Sequence, residues 1–324
     1  MANVFLTSAA PSPGDSCSAL RDAAGADVFG AHRLTDDADA ADVVLFVESW
    51  RSDPFLTAAR AHPLVRRYRE KCFAFCEFDD AVPFLPGLYT SNGAGRPYAL
   101  RSRVRTGFYL TMYHNPYVEP EPTFRDAEHL YSFVGSVNTA RVRRGLAALD
   151  HRGSLFVDTS ARSAKTWAGD DDAAKEAFRR EYADALRRSC FVLCPRGLAP
   201  STVRLFDAMC TGRAPVVLSD AWIPPEGPDW ASFIVRIPER HAARVPDVLR
   251  ERAAEAEAMG RLAHAAWEAW YAEPVRFHHA VEACLSIARA RRLPEALLRF
   301  NAYAHFLRPR VLKNYLRPFL KPTT

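Results

Sequence analysis

Ser189 to Glu239 reads SCFVLCPRGLAPSTVRLFDAMCTGRAPVVLSDAWIPPEGPDWASFIVRIPE, and the rest of the chain is organised around it. Phe191 to Leu193 is a short apolar run ending at Cys194-Pro195-Arg196-Gly197, the pattern of a buried strand entering a turn. Pro200-Ser201-Thr202 opens a helix, where a hydroxyl can cap free N–H groups. Leu205, Phe206, Met209 and Cys210 form its apolar stripe, and Gly212 stops it. Ala214 to Leu218 is a second buried strand with Ser219-Asp220 at its carboxyl end. Strand, loop, helix and parallel strand make a βαβ unit. Ligands of such sheets bind beyond the carboxyl ends of the strands.

The polar residues stand at that end. Arg196 and Gly197 follow the first strand, and Ser201 and Thr202 stand at the helix start, where the dipole and open N–H groups favour an anion. Arg204 and Asp207 are three apart and share a helix face. An arginine pairs with a diphosphate through two parallel hydrogen bonds, and a carboxylate accepts two from a ribose diol. The set suits a nucleotide diphosphate. The plain alternative is a surface ion pair between Arg204 and Asp207, with Arg196 a solvated loop charge.

The order of motifs carries a resemblance. CPRG, then S-x-x-R-L-F-D-A-M, then G-x-x-P-V-V-L-S-D-x-W-x-x-P, then D-W-x-x-F-x-V-x-I-P-E closely resembles the exostosin family of glycosyltransferases. The likeness extends upstream to Tyr131-Ser132-Phe133-Val134-Gly135 and downstream to about Ile287. It implies an α/β chain of GT-B architecture: two Rossmann-like domains with parallel sheets facing a cleft. It also implies inverting, metal-independent transfer from a nucleotide sugar, commonly UDP-linked, to a glycan or glycolipid hydroxyl. The nucleotide sugar is then a co-substrate, and no further cofactor is expected. Many family members carry Glu where Asp207 stands; Asp keeps the acceptor chemistry with one methylene less reach. The resemblance sets a basic residue near the start of the helix after Gly135, which makes Arg143 a second phosphate candidate.

Composition sets the outer bounds. A chain of 324 residues, 48% hydrophobic and 25% charged, accommodates two ordinary globular domains. The expected division is residues 1–125, residues 126–290 and a C-terminal tail over residues 291–324. MANVFLTSAA has no basic segment ahead of a long apolar one, so no secretory signal is expected, and no run matches a membrane span. Seven cysteines without framework spacing read as small buried thiols in a reducing compartment, which places the chain in the cytoplasm.

The first half reads as an α/β domain. Val4 to Leu6, Val43 to Val47 and Cys72 to Cys76 are strand-like, and Phe55 to Glu70 is helical with a break at Pro63. The third strand runs into Glu77-Phe78-Asp79-Asp80, then into the Pro-rich segment Pro83 to Tyr89, read as a rigid loop. Glu77, Asp79 and Asp80 either face a crevice or cap a solvated turn. Similar segments in bacterial relatives of the exostosins favour the crevice, so these acids and Asp220 are the catalytic candidates. Tyr113, His114 and Tyr117 are either sugar-stacking or ordinary packing aromatics.

A second Rossmann-like unit begins at Tyr131, with a loop at Gly135 to Asn138 that lets backbone approach a ligand. A helix from Thr139 to Leu149, a strand from Ser154 to Val157 and a helix from Ala174 to Arg188 follow. Thr159 to Lys165 is polar enough to reach a nucleotide base. Asp170-Asp171-Asp172 formally fits D-x-D but precedes a helix, where acids cap. From Arg289 to Thr324 there are nine Lys/Arg and one acid, a net of +8 against +5 for the whole chain, so residues 1–288 carry −3. The tail is therefore the basic part, interleaved with leucines and aromatics. It suits an anionic membrane surface, peripheral and on the inner face, or a last helix packing back on the first domain. No nucleic-acid motif accompanies the charge. Two other classes remain: an inactive nucleotide- or glycan-binding module, and a scaffold acting through its tail.

Overall fold

The computed structural model describes residues 1–9, 16–49, 55–79, 81–94, 102–112, 114–121, 124, 127–162, 171–307 and 309–320. Two compact units divide the chain: Met1–Met112 with Glu273–Thr324, and Tyr113–Ala272. Each is built on one parallel sheet.

In the first unit the strands are β1 (Ala2–Thr7), β2 (His32–Leu34), β3 (Val43–Glu48), β4 (Cys72–Cys76), β5 (Gly87–Tyr89) and β6 (Val104–Thr106). Their order is β2-β1-β3-β4-β5-β6, and every pair is parallel. Every residue of β3 and β4 is buried, as unbroken apolar runs demand when both faces of a sheet are covered. The helices at Ser16–Gly25 and Glu273–Ala290 pack on each other and cover this sheet. Helix Ser16–Gly25 and strand β2 had no signal in the sequence, and the expected loop through Tyr89 ends in strand β5.

In the second unit β7 (His129–Gly135), β8 (Leu155–Asp158), β9 (Ser189–Pro195), β10 (Ala214–Leu218) and β11 (Val235–Arg236) form a parallel sheet ordered β11-β10-β9-β7-β8. Its core joins Tyr131, Phe133, Phe191, Leu193, Val216 and Leu218 to Val245, Leu249 and Met259 from the helices that follow. Helix Val203–Cys210 ends as the sequence requires. Gly212 takes φ 65°, its N–H bonds to Met209 O, and the next N–H reaches back to Ala208 O at 2.8 Å. Helix Asp172–Arg187 is capped by Asp171, whose carboxylate accepts from Ala174 N at 2.9 Å, so this acid caps as expected. Asp170 lies outside the described residues.

The domain boundary differs from expectation. Helix Glu273–Ala290 belongs to the first unit, as does the C-terminal segment, so the boundary falls near residue 272 rather than 290. Residues 295–320 are helix Glu295–Leu298, a 3-10 run Arg299–Leu307 and helix Pro309–Leu320. Ala302 and Val311 are buried against Val82 and Phe84, and Phe306 stacks on Phe55 at 5.9 Å. Glu295, 2% exposed, forms a buried ion pair with Arg103. A removed partner would leave a buried charge, which ties this segment to the fold. No helix among the described residues is long and apolar enough to cross a membrane.

Candidate functional site

In the second unit the strand order reverses between β7 and β9, since β7 has β8 on one side and β9 on the other. A crevice opens at such a switch point, outside the carboxyl ends of the two strands. Gly135 closes β7, and Arg196 and Gly197 follow β9, so the residues singled out from the sequence converge there.

Arg204 lies at its centre. The side chain is 7% exposed, its Nη2 donates to Val134 O at 2.7 Å, and its guanidinium carbon lies 4.6 Å from the centre of the Phe133 ring. Nε and Nη1 are buried without a hydrogen-bond partner. An arginine carries five donor hydrogens, and leaving them unmatched in a desolvated place costs free energy. The Ser201 hydroxyl is buried and unpartnered as well. A methyl group at Gly135 would stand 2.6 Å from Arg204 Nη2, so the glycine leaves the guanidinium its room.

Asp207 sits one turn on. Tyr182 Oη donates to its Oδ2 at 2.7 Å. Burial pushes the Asp207 carboxyl up to about 6, although the Tyr182 hydroxyl and the Arg204 guanidinium both pull it down. Burial and the nearby Asp207 charge in turn hold the Tyr182 hydroxyl well above its ordinary range. Arg204, buried, and Asp207, half-buried, therefore form a packed group with Phe133 and Tyr182, not the solvated surface pair that spacing alone allows. Nothing in the spacing points to Tyr182, because it stands two elements earlier; only helix Asp172–Arg187 packing on the sheet brings it in.

Other candidates have different work. Arg143, 8% exposed, donates to the carbonyls of Ser136, Pro195 and Arg196 at 3.0–3.1 Å. Its guanidinium clamps the loops after β7 and β9 together, so it positions the site instead of presenting itself as the second phosphate ligand. A methyl at Gly197 would come within 3.2 Å of Arg143 Nη2. Arg196 pairs with Glu239 at 2.8 Å, and Glu239 and Asp220 exchange hydrogen bonds through each other's backbone N–H. Asp220 is exposed and serves this latch. Thr202 precedes helix Val203–Cys210 without capping it, contrary to the expectation of a hydroxyl cap.

At the end of β4, Glu77 is fully buried and its carboxylate is occupied. It accepts from the backbone N–H of Leu110 at 2.5 Å, Thr111 at 3.1 Å and Met112 at 3.3 Å, and from the Ser16 hydroxyl. A proton-accepting base needs a free lone pair facing substrate, so Glu77 is an anchor for the 110–112 loop and not the base. Asp79 is half-buried at the same strand end. Asp80 lies outside the described residues. At the switch point of this sheet, between β1 and β3, stands Glu48, which accepts from Ala9 N at 2.7 Å; nothing in the sequence marked it as a site residue.

Tyr113 and residues 163–165 are outside the described residues, and Tyr117 packs beneath Arg180 at 4.5 Å while donating to Glu176. The thiols of Cys72, Cys194 and Cys210 are pushed up to about 12 by burial, as inert core thiols are. Among the described residues no three His, Cys, Asp or Glu side chains stand together as a metal site.

Residues 100–252 match the family model described as the Exostosin GT47 domain. The chain is 31% identical over 123 residues to Exostosin-1 of Drosophila melanogaster, covering 36% of this chain and 16% of that protein. It is 31% identical over 133 residues to an Exostosin-1 homolog of Caenorhabditis elegans, covering 38% of this chain and 35% of the other. The chain thus spans at most about a third of the length of these relatives. A crystal structure of Acinetobacter baumannii MurG overlaps 83% of this chain and 77% of its own at 13% identity and a TM-score of 0.34, a level that carries no argument. The matched residues hold the switch point, Arg204 and Asp207, so the likeness to the exostosin domain falls on the candidate site itself.

Proposed function

We propose that the protein is a glycosyltransferase that moves a sugar from a nucleotide-sugar donor, UDP-linked, to a glycan or glycolipid hydroxyl. The observation behind this is the buried Arg204 guanidinium at the strand-order switch point, with Nε and Nη1 unmatched, inside the stretch that matches the exostosin domain. Arg204 receives the donor diphosphate, and the Ser201 hydroxyl and the start of helix Val203–Cys210 add donors beside it. Asp207, steadied by Tyr182, accepts from the ribose hydroxyls. As the bond to the sugar breaks, negative charge grows on the leaving diphosphate. A preplaced guanidinium stabilises that charge without reorganisation. This is the reason to propose transfer without a divalent ion.

An inverting displacement also needs a base on the acceptor hydroxyl. We assign acceptor binding to the first unit and the base to its strand-end acids, with Asp79, half-buried beyond β4, as the candidate. Thermal-shift titration with UDP-, GDP- and dTDP-sugars, followed by an assay for release of the free nucleotide, tests the reading. Stabilisation by one donor with turnover that survives EDTA supports it. Stabilisation without hydrolysis or transfer to any glycan points instead to a nucleotide-binding module. Activity lost in EDTA and restored by Mn²⁺ overturns the metal-independent step.

A further inference from the structure

A second concave site lies wholly within the first unit, apart from the nucleotide residues. It is a cavity of about 410 Å³ lined by Arg60, Arg69 and Arg299 together with Phe84, Phe300 and Tyr303. Arg60 lies flat on the Phe84 ring at 3.7 Å and donates to the Tyr303 hydroxyl at 3.3 Å. Arg69 Nε is buried with no hydrogen-bond partner. No carboxylate among the described residues forms an ion pair with Arg60, Arg69 or Arg299. The acid in the wall, Glu295, is spent: Arg103 pairs with it and Arg291 stands at 3.8 Å. Three uncompensated guanidinium groups around one opening favour a phosphate-bearing ligand.

The same segment exposes large apolar side chains. Leu293, Leu297 and Phe300 recur four and three residues apart and are 53%, 59% and 59% exposed, and Leu307 is 85% exposed. Phe300 is also part of the pocket wall, so exposed apolar side chains and unpaired arginines meet on this segment, which is unusual on a surface that meets only water. It matches an amphiphile with an anionic head. The net charge of +8 over residues 289–324, against −3 for the remainder, sets the same sign of partner.

We propose that this pocket takes the phosphate head group of an anionic phospholipid while Leu293, Leu297, Phe300 and Leu307 enter the acyl boundary, docking the chain on a membrane surface. Attraction of this kind is screened by salt and contributes about 1 kcal/mol for each arginine near the surface, roughly fivefold in affinity. The site holds the first unit to a bilayer without any spanning element.

Co-sedimentation of the full chain with vesicles of phosphatidylglycerol and phosphatidylcholine tests this, with pure phosphatidylcholine vesicles as the neutral arm. The expected result is binding to the anionic vesicles alone, weakened at high salt. Arg299→Gln, at an exposed position, should lower affinity roughly fivefold, and adding Arg69→Gln should multiply that loss. Leu297→Ser with Phe300→Ser should lower it by at least as much, with the circular dichroism spectrum unchanged. Equal binding to neutral vesicles overturns the proposal, and so does undiminished binding by all three variants. Complete competition by millimolar glycerol phosphate would make the ligand a soluble phosphate and also overturn the membrane assignment.

Discussion

Glu77 and Arg204 are both buried charges at the carboxyl ends of parallel strands, one in each unit, and their surroundings are opposite. Glu77 accepts from three consecutive backbone N–H groups and a serine hydroxyl. Arg204 donates once, to Val134 O, and keeps two nitrogens buried and unmatched. A charge with every lone pair occupied has been committed to holding its own loop. A charge with donors left over is the one we propose as a ligand contact. The difference separates an anchor from a proposed ligand site, and the sequence shows neither role: Glu77 directly follows a buried strand, and Arg204 stands in the first turn of a helix.

The sharpest way to break this contrast is to remove the anchor. Glu77→Ala should lower unfolding free energy by about 3–5 kcal/mol, because it strands the N–H groups of residues 110–112 and the Ser16 hydroxyl. Urea denaturation measures it. A loss below about 1 kcal/mol would mean that the carboxylate is not structurally committed.

Arg204 should respond in the other assay. Arg204→Lys keeps the charge but not the paired geometry, so nucleotide affinity should fall by about 2 kcal/mol, roughly thirtyfold, with little change in unfolding midpoint. Calorimetric titration with UDP decides it, and wild-type affinity in the variant would end the phosphate assignment.

Protonation sharpens the comparison further. With the Asp207 carboxyl at about 6, the folded protein holds an extra proton between its ordinary value of 3.8 and about 6. Burial of the charged form therefore lowers stability above about pH 6, and this penalty is relieved as pH falls toward 4. Nucleotide binding runs the other way, since the ribose hydroxyls need the ionised carboxylate. Affinity should drop up to about tenfold per pH unit below 6. Asp207→Asn should be weaker at pH 8 and flat across the range; an unaltered pH profile in that variant would remove Asp207 from the site.

The smallest effect concerns the room beside Arg204. A methyl at Gly135 would stand 2.6 Å from Nη2, but the guanidinium is the far end of a flexible chain and can give way. Gly135→Ala should cost about 1 kcal/mol of nucleotide affinity through a displaced guanidinium, with unfolding nearly unchanged. A loss of stability larger than the loss of binding would show that the glycine serves the turn instead of the site.

The βαβ unit from Ser189 to Leu218 was legible because each signal in it is local. An unbroken apolar run makes a covered strand, and a glycine at φ 65° ends the helix. That Gly135, Arg196 and Gly197 would gather at one edge was legible for a related reason: parallel topology sends every strand end to the same edge of the sheet. The roles of those residues were not local. Arg143 and Arg204 occupy similar places near the starts of their helices, yet one meets three carbonyls and the other meets one. Helix Ser16–Gly25 has only a weak apolar stripe in an alanine-rich run, and the boundary at residue 272 has no local mark because the helix from Glu273 crosses back to the first sheet.

What the chain's order of residues determined by itself was the secondary structure of the switch-point region and the side of the sheet on which chemistry would gather, since periodicity, a helix-ending glycine and chain direction act over a few residues. What only the tertiary structure decided was which charges are already satisfied. Tyr182 reaching Asp207, Glu239 reaching Arg196, and Arg103 meeting Glu295 across 192 residues are contacts set by packing. A buried charge acts as anchor or as ligand site according to the partners that packing brings to it, and no spacing along the chain encodes that count.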